Sequence, residues 1–310
     1  MSQDKDLISV VVPVYNERDS LEELNKKLQD AFEKSSYDLE IIFVDDGSKD
    51  GSKTIEKELA DSYSNITQVD FLTNKGKAEA LNAGFAAARG KYIATIDADL
   101  QDDPYAIPKM ADQLVETDVD LVSGWKKDRK DPFVKKHTSK IFNYFTRLLS
   151  GIKLHDFNNG LKVYRREVVK NITLYGEMHR YVPVIAGQQG FTSGERKVRH
   201  FPRKYGETKY GINRFWRGFF DLITVTFITK YMKRPMHFFG ISGIIFLFFG
   251  LISEFYVLIL KYVYNEPFNK HFAMLLFGAL LLIFGIQSFS IGLIGELITY
   301  FNKRKNDTRK

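Results

Sequence analysis

The stretch IATIDADLQDDP, residues 93–104, opens as an apolar strand and closes on four carboxylates, Asp97, Asp99, Asp102 and Asp103. Asp97 and Asp99 lie two positions apart, so a turn at the strand end lets both side chains converge. Hard divalent cations take oxygen ligands and divide themselves between one or two carboxylates and the phosphates of a substrate. The D-x-D pair therefore suits such a cation, although read alone it suits a solvated acidic loop equally well. Asp103 followed by Pro104 reads as an ordinary helix start, an N-cap with proline at the first helical position. An EF-hand is excluded: counting from Asp97, position six is Asp102 rather than glycine and position twelve is Pro108 rather than glutamate.

These residues need a scaffold, and the surrounding pattern supplies one. Strands are expected at 8–14, 39–44, 66–72, 92–96 and 120–124, and helices at 20–34, 52–64, 77–89 and 104–117. Strand–helix alternation implies an α/β fold, a mostly parallel sheet with helices on both faces, whose ligands bind beyond the carboxyl ends of the strands. Tyr15-Asn16-Glu17, Asp45-Asp46-Gly47-Ser48 and Asp97-Ala98-Asp99 all follow such strands. An Asp-Gly pair alone is a turn signal. Three acidic strand ends on one edge make a candidate site.

Beyond residue 124 the pattern loosens. A charged loop over 125–140 enters an amphipathic helix to about residue 150, and 155–168 reads as a turn, a strand and a helix start. Residues 176–190 have helical spacing, and 191–211 a strand running into a basic loop. Residues 212–235 mix aromatic and apolar side chains with Arg214, Arg217, Lys230 and Lys233, which would interrupt a membrane span. This segment reads as helix lying in the membrane interface, with a packed helix of the soluble domain as the alternative. Residues 238–260 carry one charge, Glu254, and 272–294 carry none, so each is long and apolar enough to span a bilayer. Bases flank the pair on both sides (Lys230, Lys233 and Arg234 before; Lys303, Arg304, Lys305, Arg309 and Lys310 after), which by the positive-inside rule puts both ends in the cytoplasm.

Totals set further bounds. The chain has 310 residues, enough for one large domain and an appendage, and no cysteine, which excludes disulfides and thiolate metal sites. Of the formal net charge of +7, much sits in residues 196–217, where eight Lys or Arg face one acid, Glu207. Such a block suits phosphates or an anionic membrane surface, and no nucleic-acid-binding motif accompanies it. The N-terminus lacks the basic region and apolar run of a signal peptide.

In order along the chain, VVPVYNE, VDDGSKDGS, NKGKAEALNAGF, DADLQDDP, HDFNNGLKVYRREV and GEMHRYVPV closely resemble family 2 glycosyltransferases, over about residues 7–300. The polyprenyl-phosphate branch, with its C-terminal membrane hairpin, is the nearest match. The resemblance implies a GT-A (Rossmann-like) fold and inverting transfer of one hexose from a UDP- or GDP-sugar to a polyprenyl (undecaprenyl or dolichyl) phosphate, with Mg2+ or Mn2+. It further implies that Pro13, Tyr15, Glu17 and Asp46 cradle the base and ribose, with Asp45 and Lys77 close by, and that Asp97 and Asp99 hold the metal with Gln101 beside them. Asp156 matches the acceptor-side aspartate. Arg129, Arg165, Arg180, Arg203 and Lys209 are the candidates for the acceptor phosphate. Arg203 leads them, because R-x-x-G-x-[ST]-K resembles a basic signature of the branch. Asp156, Asp99 and Arg203 form the expected catalytic set, and His179 is expected to be structural.

The implied organisation is a cytoplasmic catalytic domain at 1–210, interfacial helices at 211–235 and a hairpin at 236–310 with spans of about 238–260 and 272–297. It implies an integral membrane protein with both termini cytoplasmic, and leaves open whether it forms a homo-oligomer. A processive polysaccharide synthase is a competing reading, but the chain lacks Q-x-x-R-W and further spans. A sugar nucleotidyltransferase would want G-x-G-T-R after the first strand. A non-catalytic, membrane-tethered nucleotide-sugar-binding subunit would bind donor without turnover.

Overall fold

The structure is a computed structural model and describes residues 5–127, 143, 144, 146–148, 150–205 and 234–307. The chain forms two units, residues 1–225 and 226–310. In the first, β1 (Asp6–Val14), β2 (Tyr37–Asp45), β3 (Ile66–Asp70), β4 (Tyr92–Thr95), β5 (Leu121–Trp125), β6 (Lys162–Arg165) and β7 (Ser193–Lys197) form one sheet in the order β3-β2-β1-β4-β6-β5-β7. Helices α1 (Arg18–Glu33), α2 (Ser52–Ser62), α3 (Lys77–Ala87), α4 (Ala106–Glu116), α5 (Arg166–Asn171) and α6 (Val182–Gln188) connect and cover them. The expected mostly parallel α/β sheet is what forms. β1 lies inside the sheet between β2 and β4 and carries Ile8, Val10, Val11 and Val12 fully buried, the near-continuous apolar run that a strand covered on both faces requires.

Register decides where the chemistry can sit. Val14 of β1 pairs with Asp45 of β2, and Val11 with Thr95 of β4, so the carboxyl ends of all three strands lie side by side. On one face Leu21, Leu24 and Leu28 of α1 and Met110 and Leu114 of α4 join Ile8, Val10 and Val12 in the core. β6 runs antiparallel to both β4 and β5, whereas β5 and β7 are parallel.

Two local expectations are corrected. Asp103 does not cap α4: the helix begins at Ala106, and Asp103 Oδ1 instead accepts the Tyr105 N–H at 3.2 Å, closing an Asx turn ahead of it. Helical residues in 176–190 divide into a single 3-10 turn, Met178–Arg180, and α6, which restarts with Pro183 in its first turn, where a missing N–H is tolerated. The interfacial helix expected over 212–235 lies outside the described residues but for its last two positions, as do Arg129, Lys209 and most of 125–140.

The second unit holds α7 (Pro235–Tyr262) and α8 (Phe272–Asp307). The 28 residues of α7 extend about 42 Å at roughly 1.5 Å per residue, and both helices are long and apolar enough to cross a bilayer. Glycines let them approach: a Cβ added to Gly250 would lie 2.9 Å from the Leu282 side chain, and one on Gly243 2.9 Å from the Gly285 carbonyl oxygen.

Candidate active site

The three strand ends are stitched together by their own polar groups. Beyond β1, Asn16 adopts φ 55°, a left-handed conformation that asparagine tolerates. Its side-chain oxygen accepts the Lys49 N–H at 2.8 Å, its own N–H reaches Ser48 Oγ at 3.0 Å, and the Glu17 N–H reaches Ser52 Oγ at 3.0 Å. Beyond β2, Asp45 Oδ1 accepts the Ser48 N–H at 2.9 Å, and Gly47 turns at φ +72°. A side chain at Gly47 would press to 2.7 Å of the Asn74 backbone, so that turn is restricted to glycine on both counts. The buried Asp46 carboxylate accepts N–H groups from Lys75 at 2.6 Å and Gly76 at 2.9 Å. It thereby fixes the loop that starts α3 at Lys77.

Lys77 Nζ forms an ion pair with Asp97 Oδ1. Burial opposes ionisation of Asp97, but the Lys77 cation outweighs it and holds this carboxyl well below the usual range. Asp99 moves the other way, pushed up to about 6 by burial and then by the charges of Asp97 and Asp102. Unlike environments for two adjacent carboxylates are a mark of functional sites. Asp99 Oδ1 accepts the Gln101 N–H at 3.2 Å; the Gln101 side-chain amide donates to Asp99 Oδ2 at 3.1 Å and accepts the Arg203 N–H at 3.2 Å. Arg203 in turn pairs with Glu17 and donates from Nε to the Tyr205 carbonyl at 2.8 Å. Two polar groups, Lys77–Asp97 and Asp99–Gln101–Arg203–Glu17, therefore meet at the D-x-D, where the two carboxylates repel each other.

Asp156, expected on the acceptor side, is buried, and its loop is pinned by β7. Glu195 Oε1 accepts the N–H groups of His155 at 2.8 Å and Asp156 at 3.0 Å, while Oε2 lies 2.7 Å from His155 Nδ1. The His155 ring stacks on Trp125 with centroids 4.1 Å apart and planes 14° from parallel. Lys126 pairs with Asp102 at 2.7 Å; burial disfavours its charge, but Asp102, with Asp97 and Asp156 behind it, raises its pKa. Lys162 is lowered to about 8, first by burial and then by the neighbouring Lys77. Burial, and then Lys77 and Arg180, hold His179 well below its ordinary value, so it stays neutral.

Pro13 lies in β1 beside Val44, and Tyr15 is half-exposed where that strand ends. Arg180 pairs with Glu177 at 2.7 Å in the turn that carries His179. Arg165 is not brought to the site. It faces Tyr92, the first residue of β4, and binds Asp118 at 3.0 Å and the Val119 carbonyl at 3.1 Å, at the edge opposite the D-x-D. The reversal of β6 exchanges the two ends of KVYR, so that Lys162, opposite Thr95, takes the place expected for Arg165. Sequence reasoning also missed Glu195, Lys126 and the Trp125–His155 stack. Lys126 had a signal, a base directly after a strand, whereas Glu195 lies some 40 positions from the loop it holds.

A divalent cation fits Asp97 and Asp99. Each carboxylate raises the free energy of the other, and the space at Asp97 is kept open by Gly160, where a Cβ would sit 2.7 Å from both Asp97 oxygens. Among the described residues no group of three or more His, Asp or Glu could enclose a metal ion. Two carboxylates match an ion that completes its shell with substrate phosphates and water.

A family model described as Glycosyl transferase family 2 matches residues 9–173. The chain is 36% identical over 300 residues to a dodecaprenyl-phosphate galacturonate synthase of Rhizobium johnstonii, covering 95% of this chain and 88% of that one. It is 31% identical over 298 residues to an undecaprenyl-phosphate 4-deoxy-4-formamido-L-arabinose transferase of Shewanella sediminis, covering 96% and 88%. Among solved structures it is similar to a mannosyltransferase of Pyrobaculum calidifontis in complex with GDP-Man and Mn2+, with a TM-score of 0.52 and 20% identity over 72% of this chain and 64% of that one. At that identity the likeness speaks to the fold alone.

Proposed function

This chain belongs to glycosyl transferase family 2, and from that premise we propose that it moves a single hexose from a UDP- or GDP-sugar to a polyprenyl phosphate at the cytoplasmic membrane face, with inversion at the anomeric carbon. Two relatives named for polyprenyl-phosphate products, each aligned over nearly the whole chain, support the acceptor class. The observation that carries the reading is the D-x-D after β4, beside the ends of β1 and β2, with Asp97 paired to Lys77 and Asp99 linked through Gln101 to Arg203, in a chain that also has two membrane-length helices.

A phosphate acceptor is already ionised near neutral pH, so its oxygen attacks C1 without surrendering a proton. The bond from C1 to the donor's β-phosphate oxygen breaks, and the nucleoside diphosphate leaves with the electron pair. Mg2+ or Mn2+, held by Asp97 and Asp99, would stabilise the charge growing on that diphosphate. The protein's part is position and field. Tyr15, Glu17, Asp45 and Asp46, with Pro13 beneath, would receive the nucleoside. Gln101 holds Asp99 and the Arg203 backbone together, and Arg203 offsets repulsion between the two anionic substrates. Asp156 orients the acceptor, with Arg180 beside the site and Arg129 and Lys209 as further cations for its phosphate. Arg165 leaves that set, because it is committed to Asp118 at the far edge. The hairpin would anchor the catalytic unit, both termini facing the cytoplasm.

Purified protein given polyprenyl phosphate and a panel of UDP- and GDP-hexoses should yield one lipid product bearing one sugar of inverted configuration. A polymer would select a processive synthase, and donor binding without product a tethered binding subunit. Arg203→Ala should raise the acceptor KM about tenfold or more, as loss of a charge-assisted contact implies, with donor affinity little changed. A loss falling mainly on the donor would count against that place for Arg203. Glu195→Ala frees the backbone N–H groups of residues 155 and 156, and a loop shifted by about 1 Å costs up to ~100-fold in rate. Steady-state kinetics should show that loss in kcat, unchanged donor binding, and partial recovery in Glu195→Gln, whose amide oxygen can still accept.

A further inference from the structure

A second charged feature lies just past the D-x-D loop. A cavity of about 410 Å3 opens between the start of α4 and the exit of β7, and Lys27, Lys109, Arg196, Lys197 and Arg199 line it against one acid, Asp103. Some of these are committed: Lys27 pairs with Glu23 at 3.0 Å, and Arg196 donates to the Lys109 carbonyl at 3.1 Å. Lys197 lies 5.5 Å over the Trp125 ring. Asp103 is engaged by the Tyr105 N–H, and among the described residues no carboxylate pairs with Lys109, Lys197 or Arg199. At Lys109, Lys197 and Arg199 the cavity thus concentrates positive charge that no described carboxylate pairs with.

Two aromatic side chains stand in the same wall, Tyr105 at 46% and Phe201 at 40% exposure. Exposed bases beside exposed aromatic rings suit the boundary of an anionic membrane, where the bases meet phosphate and the rings sit at headgroup level. A free phosphate would satisfy the bases and leave the rings unexplained. The wall is also tied to the donor loop, since the Phe201 N–H donates to the Gln101 carbonyl at 2.9 Å and Asp102 bridges to His200.

We propose that this face of the catalytic unit binds the headgroups of anionic phospholipids, with a lipid phosphate in the basic cavity and Tyr105 and Phe201 at the interface. The proposal rests on the reading of the acceptor as a membrane lipid, because an acceptor phosphate that stays in the bilayer must meet the strand ends at its surface. Headgroup binding there would steady residues 101–103 and couple donor-loop order to membrane charge.

The test is amide hydrogen exchange on the full chain in nanodiscs of phosphatidylcholine, with and without phosphatidylglycerol, in the absence of donor and acceptor. Phosphatidylglycerol should slow exchange in residues 103–110 and 196–203 about tenfold, and the paired change Lys109→Gln with Arg199→Gln should remove that difference. Unchanged nucleotide binding by this variant would show that it is folded. Equal exchange in both discs overturns the proposal. So does equal protection of the detergent-solubilised chain by inorganic phosphate, which would make the cavity a small-anion site. The measurement needs no turnover, so failure of the transferase reading, seen as absent product, is distinguishable from failure here.

Discussion

Replacing Asp99 with asparagine is expected to lower sugar transfer about a thousandfold, the scale on which a preorganised electrostatic contact to a leaving group acts, while the fold survives. Asparagine has nearly the same shape, and its oxygen can still accept the Gln101 N–H that Asp99 Oδ1 accepts at 3.2 Å. What disappears is the charge and one acceptor, Oδ2, to which the Gln101 amide donates at 3.1 Å. In the folded chain that charge is a burden: burial, Asp97 and Asp102 together push the Asp99 pKa up to about 6. Removing it relieves Asp97, whose pair with Lys77 should tighten, so stability is expected to hold or rise as activity falls. Turnover by the purified variant, read against its thermal unfolding, checks both halves. A carboxylate that costs stability yet is essential for turnover fits a cation site, and full turnover in Asp99→Asn would reject the assignment.

The second large effect concerns stability and lies behind the loop that follows β2. Glu56 of α2 is fully buried with neither carboxyl oxygen bonded to any described residue, and it faces Asp45, whose Oδ2 is likewise buried without a partner. Burial first, and then the Asp45 and Asp70 carboxylates, push the Glu56 pKa up to about 9. The folded chain therefore keeps this proton at neutral pH and the unfolded chain releases it. The sign follows from linkage. Below the unfolded value both states are protonated and Glu56 adds no pH-dependent cost; from there up to about 9 the unfolded state is favoured increasingly as pH rises. At pH 7 the cost is roughly 3 kcal/mol, from about 2.5 pH units at ~1.4 kcal/mol each. Glu56→Gln should recover most of it, raising the unfolding midpoint of the catalytic unit at pH 8 and leaving it nearly unchanged at pH 4. A gain independent of pH would contradict the account.

What the sequence disclosed and what it withheld divide along physical lines. Parallel strands covered on both faces read as near-continuous apolar runs, so ISVVVPV and LEIIFV announce themselves, and acidic turns at their ends mark the edge where ligands of such sheets bind. Asp97, Asp99, Glu17, Gln101 and Arg203 could be named in advance because each belongs to a short local motif, and the fold brings them together. Direction is not local. KVYR is a four-residue strand whose composition is the same whichever way it runs, so its antiparallel placement exchanged Arg165 for Lys162. Glu195 escaped for the same reason. Nothing near it in sequence says that its carboxylate will receive two backbone N–H groups from residues 155 and 156. The start of α4 was misjudged because Asp-Pro signals a cap and an Asx turn alike.

The most direct measurement is transfer by the purified chain, with its nucleotide sugar and polyprenyl phosphate, after exhaustive chelation and then with Mg2+ or Mn2+ restored. The account predicts that product formation stops and returns with either ion. Undiminished transfer in the chelated enzyme would contradict it.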